Sequence, residues 1–152
     1  MKKLSIVTHK EGAPLLRLLG VGPNNLPVKG ISQLQKLLEL NTDWAKKRSK
    51  KDLQKMLLSS TSISTLWINS KLIGFGRATS DKTFRAVLWD IVVSQEYRKN
   101  GFGKMLVQSL IDSRSVKAAQ KVYLMTTNCT EFYNKCGFNF STKQTLLQKY
   151  NY

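Results

Sequence analysis

Nine acidic residues, one histidine, two cysteines and three prolines in 152 positions leave several chemistries without material. Cys129 and Cys136 sit close together in the last third of the chain, too few for a disulfide framework and without the second pair that a zinc site needs. They read as reduced thiols, His9 reads as structural, and no metal is expected. Long apolar runs are also missing. No stretch approaches the roughly 20 residues that a membrane-spanning helix needs, and the start, MKKLSIVTHKEGAP, lacks the apolar run of a secretory signal. The expectation is a soluble, intracellular chain with no membrane partner. Repeats and low-complexity tracts are absent too, so one compact domain over 1–152 is expected, with 1–30 the segment hardest to place.

Against so little acid stand 25 lysines and arginines, a formal charge of +16. Such a field favours something anionic: nucleic acid, an acidic protein or a polyphosphate cofactor. Charge alone does not choose among them, and lysine-rich usage also follows from an AT-rich genome. The densest run, KKRSKK at 46–51, reads as a solvated helix end or loop.

Along the chain, LSIVTH suggests a short strand, and Pro14, Gly20, Gly22, Pro23 and Pro27 break the next stretch into turns. Ile31, Leu34, Leu37 and Leu38 have helical spacing, and Asp52 is placed to cap a second helix carrying Leu53, Met56 and Leu57. The period then changes. STLWIN, LIGFGRAT and FRAVLWDIVV, separated by NSK and SDK, predict an antiparallel meander. An amphipathic helix runs from Gly101 through Phe102, Met105, Leu106 and Leu110. Next come a strand KVYLMTT, a short helix around Glu131 to Lys135, and a terminal strand from Phe138 into TLLQKY. The fold class is mixed α/β.

DIVVSQEYRKNGFGKMLVQSLI carries the most chemistry: a buried strand, a turn, and a helix that begins glycine-rich. The first N–H groups of a helix lack intrahelical partners, the macrodipole is positive there, and glycine lets a phosphate approach the backbone. Arg98, Lys99 and Lys104 add positive charge. The run lacks the GK[ST] ending of a P-loop and the third glycine of a dinucleotide fingerprint. By itself, a glycine at a helix start is also what a tight turn needs.

The stretch VVSQEYRKNGFGKMLV resembles the acetyl-coenzyme A loop of GNAT acetyltransferases, [QR]xxGx[GA], matched by Arg98, Gly101 and Gly103. A second signature of that family, FYxxxGF, appears at Phe132, Tyr133, Gly137 and Phe138. The element order from Ile31 onward fits as well. Within the superfamily, LIGFGRATSDKTFRAVLWDIVV, with its Trp89, Asp90 pair, is similar to cyanobacterial, plastid-encoded and plant-type members, some of which acetylate arylalkylamines such as serotonin.

The resemblance implies a splayed mixed sheet flanked by helices and direct transfer of acetyl from acetyl-coenzyme A to an amine. Pantetheine would lie along Ile91, Val92 and Val93 as an added strand. The N–H groups of Arg98, Lys99, Asn100, Gly101, Phe102, Gly103 and Lys104 would hold the pyrophosphate. Tyr133 fits a proton donor to the leaving thiolate. Asp90, the carboxylate inside VLWDIVV, reads either as a general base whose pKa burial raises or as a structural acceptor at a strand bulge. Glu96 and Glu131 read as solvated. Many relatives carry an Asn seven residues before the signature tyrosine; here Thr126 stands there, and Asn128 comes two positions late, so neither is assigned to the coenzyme.

Trp89 and Asp90 are the expected substrate contacts, stacking a small arylalkylamine and receiving its nitrogen. A protein lysine or N-terminus is the alternative acceptor. Two rivals stay open, a catalytically silent GNAT fold and a basic nucleic-acid-binding module, although no basic-aromatic motif supports the latter. The expected state is a monomer or homodimer, in the cytoplasm, or in the plastid stroma if plastid-encoded.

Overall fold

The computed structural model describes residues 2–13, 23 and 28–151. Its elements in chain order are β1 (Leu4–His9), α1 (Gly30–Asn41), α2 (Lys50–Leu58), β2 (Ser62–Ile68), β3 (Lys71–Ser80) and β4 (Arg85–Val93). After a 3₁₀ turn at Gln95–Tyr97 come α3 (Phe102–Ile111), α4 (Arg114–Lys117), β5 (Lys121–Leu124) and α5 (Thr130–Lys135). The strands form one sheet in the order β1-β2-β3-β4-β5. The first four run antiparallel, and β5 lies parallel to β4. A parallel neighbour requires a long crossover, which α3 and α4 supply.

The stripe Ile31, Leu34, Leu37 and Leu38 turns α1 onto one face of the sheet, where α2 adds Leu53 and Leu57. There they pack against Ile63, Trp67, Phe75 and Val92. On the other face Val107, Leu110 and Val116 of α3 and α4 pack against Ala78, Ala86 and Leu88. Between β2 and the second layer runs a seam of hydroxyls. Ser62 reaches Ser113 at 2.8 Å and Ser115 at 2.7 Å, and Ser109 joins Ser64 at 2.8 Å and Thr8 at 2.7 Å. Each hydroxyl has a partner, which removes the cost of burying it. His9 is buried, its Nε2 2.9 Å from Thr65 Oγ1.

The LSIVTH strand, the first two helices and the meander lie where the sequence puts them. Three expectations are corrected. The cap of α2 is Ser49 rather than Asp52: the Ser49 hydroxyl accepts the Asp52 N–H at 3.1 Å and donates to its carboxylate at 2.7 Å, a reciprocal arrangement in which Asp52 is the third helical residue. KVYLMTT is extended, but only Lys121–Leu124 finds a strand partner. From Phe138 onward no strand forms among the described residues, and Phe140, Leu146 and Leu147 stand exposed, because apolar β-formers without a paired backbone do not make a strand. The turns expected around Pro14, Gly20, Gly22 and Pro27 lie outside the described residues.

Candidate functional site

The site begins with an irregularity in β4. Arg77 of β3 faces Trp89 and Phe75 faces Val92, so Asp90 and Ile91 together stand opposite Gly76. This is a bulge, and Asp90 carries its strain at φ 53°. Side chains along a strand alternate faces, yet the extra residue puts two consecutive side chains, Trp89 and Asp90, on the α1/α2 face. Arg77 Nε donates to Asp90 Oδ2 at 2.6 Å, and Arg48 Nη1, from the α1–α2 connection, donates to Oδ1 at 3.1 Å. The Arg77 guanidinium lies 5.6 Å from the centre of the Trp89 ring, whose Nε1 donates to Thr79 Oγ1 at 2.8 Å. Arg48 lies 5.9 Å from the Trp44 ring. Asp90's side chain is only 7% exposed, Arg77's 15% and Arg48's 32%.

Just before the bulge the sheet parts. The last β4–β5 pair is Leu88 with Leu124. Beyond it the β5-facing edge of Ile91, Val92 and Val93 has no strand partner among the described residues.

That open edge leads into the loop. Ser94 N donates to Ile73 O at 2.8 Å, and Gln95 N to the Asn41 side-chain oxygen at 2.8 Å. Arg98 has a part in the loop itself. Its amide closes the 3₁₀ turn on Gln95 O at 3.3 Å, while its guanidinium donates to Val93 O at 3.1 Å and Asn41 O at 3.0 Å. Arg98 therefore builds the loop and ties it to the end of α1. The N–H groups of Lys99, Asn100, Gly101, Phe102, Gly103 and Lys104 donate to no described residue. They line the N-terminus of a ten-residue helix, whose dipole adds positive potential. Gly101 caps it at φ 78°, and a Cβ there would meet nothing within 4 Å. Gly103 is needed for another reason: a Cβ there would lie 3.1 Å from the Phe132 ring.

Phe132 positions its neighbour. Thr126 Oγ1 accepts the Cys129 N–H at 3.1 Å, turning the chain into α5, and the Phe132 and Tyr133 rings meet edge to face at 4.9 Å. Tyr133 packs against the same apolar cluster as Ile91, Leu124 and Phe138. Burial, and then the nearby thiols of Cys129 and Cys136, push the Tyr133 hydroxyl up to about 12. It keeps its proton throughout the neutral range. Glu96 is exposed and pairs with Lys71 at 3.3 Å.

The profile of the Acetyltransferase (GNAT) family matches residues 31–138. The chain belongs to the GNAT acetyltransferase family. Uncharacterized N-acetyltransferase ycf52 of Pyropia yezoensis is 34% identical over 112 residues, 70% of this chain and 63% of that protein. GCN5-related N-acetyltransferase 2, chloroplastic, of Arabidopsis thaliana is 39% identical over 69 residues, 45% of this chain and 27% of its own length. The chain thus matches less than two thirds of these relatives. The fold of a GNAT-family protein from Xanthomonas campestris superposes with a TM-score of 0.75 at 21% identity, over 99% of this chain and 95% of the other.

GNAT-fold proteins use acetyl-coenzyme A, and the residues here suit it: six free amides and an open glycine for a pyrophosphate, and an unpaired strand edge for the amides of pantetheine. Among the described residues no cluster of His, Cys, Asp or Glu could hold a metal ion, and no helix is long and apolar enough to cross a membrane.

Sequence reading missed Arg48, Arg77 and Asn41. Arg48 sits inside KKRSKK, whose four lysines are exposed as expected while this one arginine turns to Asp90. The available signal was a lone carboxylate in an apolar strand, which demands a cationic partner.

Proposed function

We propose that this GNAT chain transfers acetyl from acetyl-coenzyme A directly to an amine. The observation that carries the reading is the continuity of the site: the edge of Ile91 to Val93, which no strand among the described residues pairs and whose Val93 carbonyl is held by Arg98, leads through the loop into the unbonded amides of Lys99 to Lys104. The coenzyme supplies a thioester whose carbonyl an uncharged amine attacks, forming an N–C bond as the C–S bond breaks. The chain's part is to orient and to move a proton. Ile91 to Val93 fix the pantetheine, the Lys99–Lys104 amides hold the phosphates, and Tyr133 gives its proton to the departing sulfur.

The base reading of Asp90 has less support than the structural one. Both its oxygens accept from guanidinium groups, so its role here is to anchor Arg48 and Arg77, and the amine's proton leaves to water. The same pairing weakens the idea that Asp90 receives the nitrogen of an arylalkylamine. The Trp89 ring still supports an acceptor with an apolar or aromatic part. Chloroplastic relatives support the plastid stroma as the place of action.

Two measurements test the reading together. Titration calorimetry with acetyl-coenzyme A should give one site, and a coenzyme-release assay over aromatic amines, amino acids, polyamines and peptides should give turnover with at least one class. Coenzyme binding without turnover of any amine would leave a silent GNAT fold instead.

A further inference from the structure

We infer that the acceptor carries an anionic group, carboxylate or phosphate, close to its amine, and that Arg48 and Arg77 read it. The inference rests on the acetyltransferase reading and names the acceptor's chemistry. Two guanidinium groups meet one carboxylate at Asp90, leaving one unmatched positive charge on the α1/α2 face where β4 and β5 part.

Among the described residues neither arginine pairs with any acid other than Asp90. Glu39 accepts from the Lys47 amide at 2.8 Å, Asp43 pairs with Lys46 at 2.9 Å, and Asp52 is held by Ser49. Donors remain free as well. Arg48 spends only Nη1, on Asp90 and on Met56 Sδ at 3.6 Å, and Arg77 spends only Nε, so the other guanidinium nitrogens bond to no described residue. A guanidinium offers its N–H groups as a planar fork suited to carboxylate or phosphate. Trp44 and Trp89 lie against the two forks and limit their rotation.

A separate observation points to the same face. The Tyr123 hydroxyl is buried without a hydrogen-bond partner among the described residues. Its neighbours Val122 and Leu124 pack on the α3 face, so alternation puts Tyr123 on the α1/α2 face, opposite Val87. Buried hydroxyls in folded proteins are almost always bonded, so the interior of this face keeps one polar atom unmatched. Asp90 stands at φ 53°, and both arginines converge on its carboxylate.

The test uses amine pairs that differ by one anion: tryptophan with tryptamine, glucosamine 6-phosphate with glucosamine, and a peptide with Asp against Asn at its second residue. Binding is measured by calorimetry on the full chain saturated with coenzyme A, and turnover with acetyl-coenzyme A. In at least one pair the anionic member should bind about 10-fold more tightly, with an advantage that shrinks as salt rises. The pair that responds tells a small molecule from a peptide. Arg48→Gln should remove most of the advantage and Arg48→Lys part of it, with acetyl-coenzyme A affinity unchanged.

Equal or tighter binding of every neutral member, no binding by any anionic member, or an advantage that survives Arg48→Gln in a folded protein overturns the inference. Selective anion binding without turnover keeps Arg48 and Arg77 as readers of an anion but sinks the transferase reading and with it the acceptor, whereas turnover with no anion preference keeps the transferase reading and overturns the inference. Should Arg48→Gln misfold by circular dichroism, Arg48→Lys carries the comparison.

Discussion

Arg77 and Asp90 meet at 2.6 Å across the bulge between β3 and β4, and this contact, with Arg48, holds a left-handed residue in the middle of a strand. Asp90→Asn keeps the shape but removes the charge. Hydrogen bonds to charged groups contribute about 1.5–3 kcal/mol, and the partial exposure of Arg48 places the expected loss near the lower half of that range. Urea unfolding measures it. Turnover by the folded fraction should keep its rise with pH, because that rise belongs to the acceptor amine; its disappearance would restore Asp90 as the base.

Gly101→Glu puts a negative side chain into the open space above the loop amides, where nothing lies within 4 Å. Acetyl-coenzyme A binding should weaken by roughly 10²-fold or more, since repulsion replaces charge-assisted bonds. Gly101→Asn tolerates φ 78° and isolates charge from backbone strain. Normal calorimetric affinity in folded Gly101→Glu would remove the loop from the coenzyme site.

Gly103→Ala brings a methyl to 3.1 Å from the tip of the Phe132 ring, which must shift by a few tenths of an ångström. Overpacking of this kind costs about 1–3 kcal/mol. Because Phe132 abuts Tyr133, kcat should fall more than coenzyme affinity; equal falls would mean that the damage is confined to the loop.

Tyr133→Phe removes one hydroxyl, and turnover should drop roughly 10²-fold with coenzyme affinity nearly unchanged. With the hydroxyl pushed up to about 12, wild-type turnover should show no falling limb attributable to it below about pH 11. Stability has the same sign. The folded pKa lies above the ordinary value of 10.0, so the contribution is complete below pH 10 and is lost as pH rises toward 12. Over that window the wild type should lose stability relative to Tyr133→Phe in urea titrations.

The periodic parts of the chain were legible before any coordinates. Ile31 to Leu38 and Leu53 to Leu57 could bury their stripes only as helices, and alternation through Leu72 to Val93 could be satisfied only by a meander. The glycines at 101 and 103 stood out because each answers a local demand. Tertiary partnerships did not show. Arg98 looks like a phosphate contact in sequence, and nothing there shows that its guanidinium also reaches Val93 O and the Asn41 carbonyl, 57 residues earlier. Arg48 hides among lysines, and Phe138 to Tyr150 has the composition of a strand with no backbone to pair with.

The bulge at Asp90 also changes what kind of mutation the site can survive. Upstream of it, odd positions of β4 lie on the α1/α2 face, as Trp89 does; downstream, even ones do, as Val92 does. The phase of the strand is thus reset by a single residue's length. Substituting Asp90 alters chemistry at one point, whereas deleting it would turn every upstream side chain over or carry the β4–β5 ladder past Leu88 and close the edge that the coenzyme is proposed to use. The slot is encoded by a count of residues, which frame-preserving deletions of one codon would probe more sharply than any substitution.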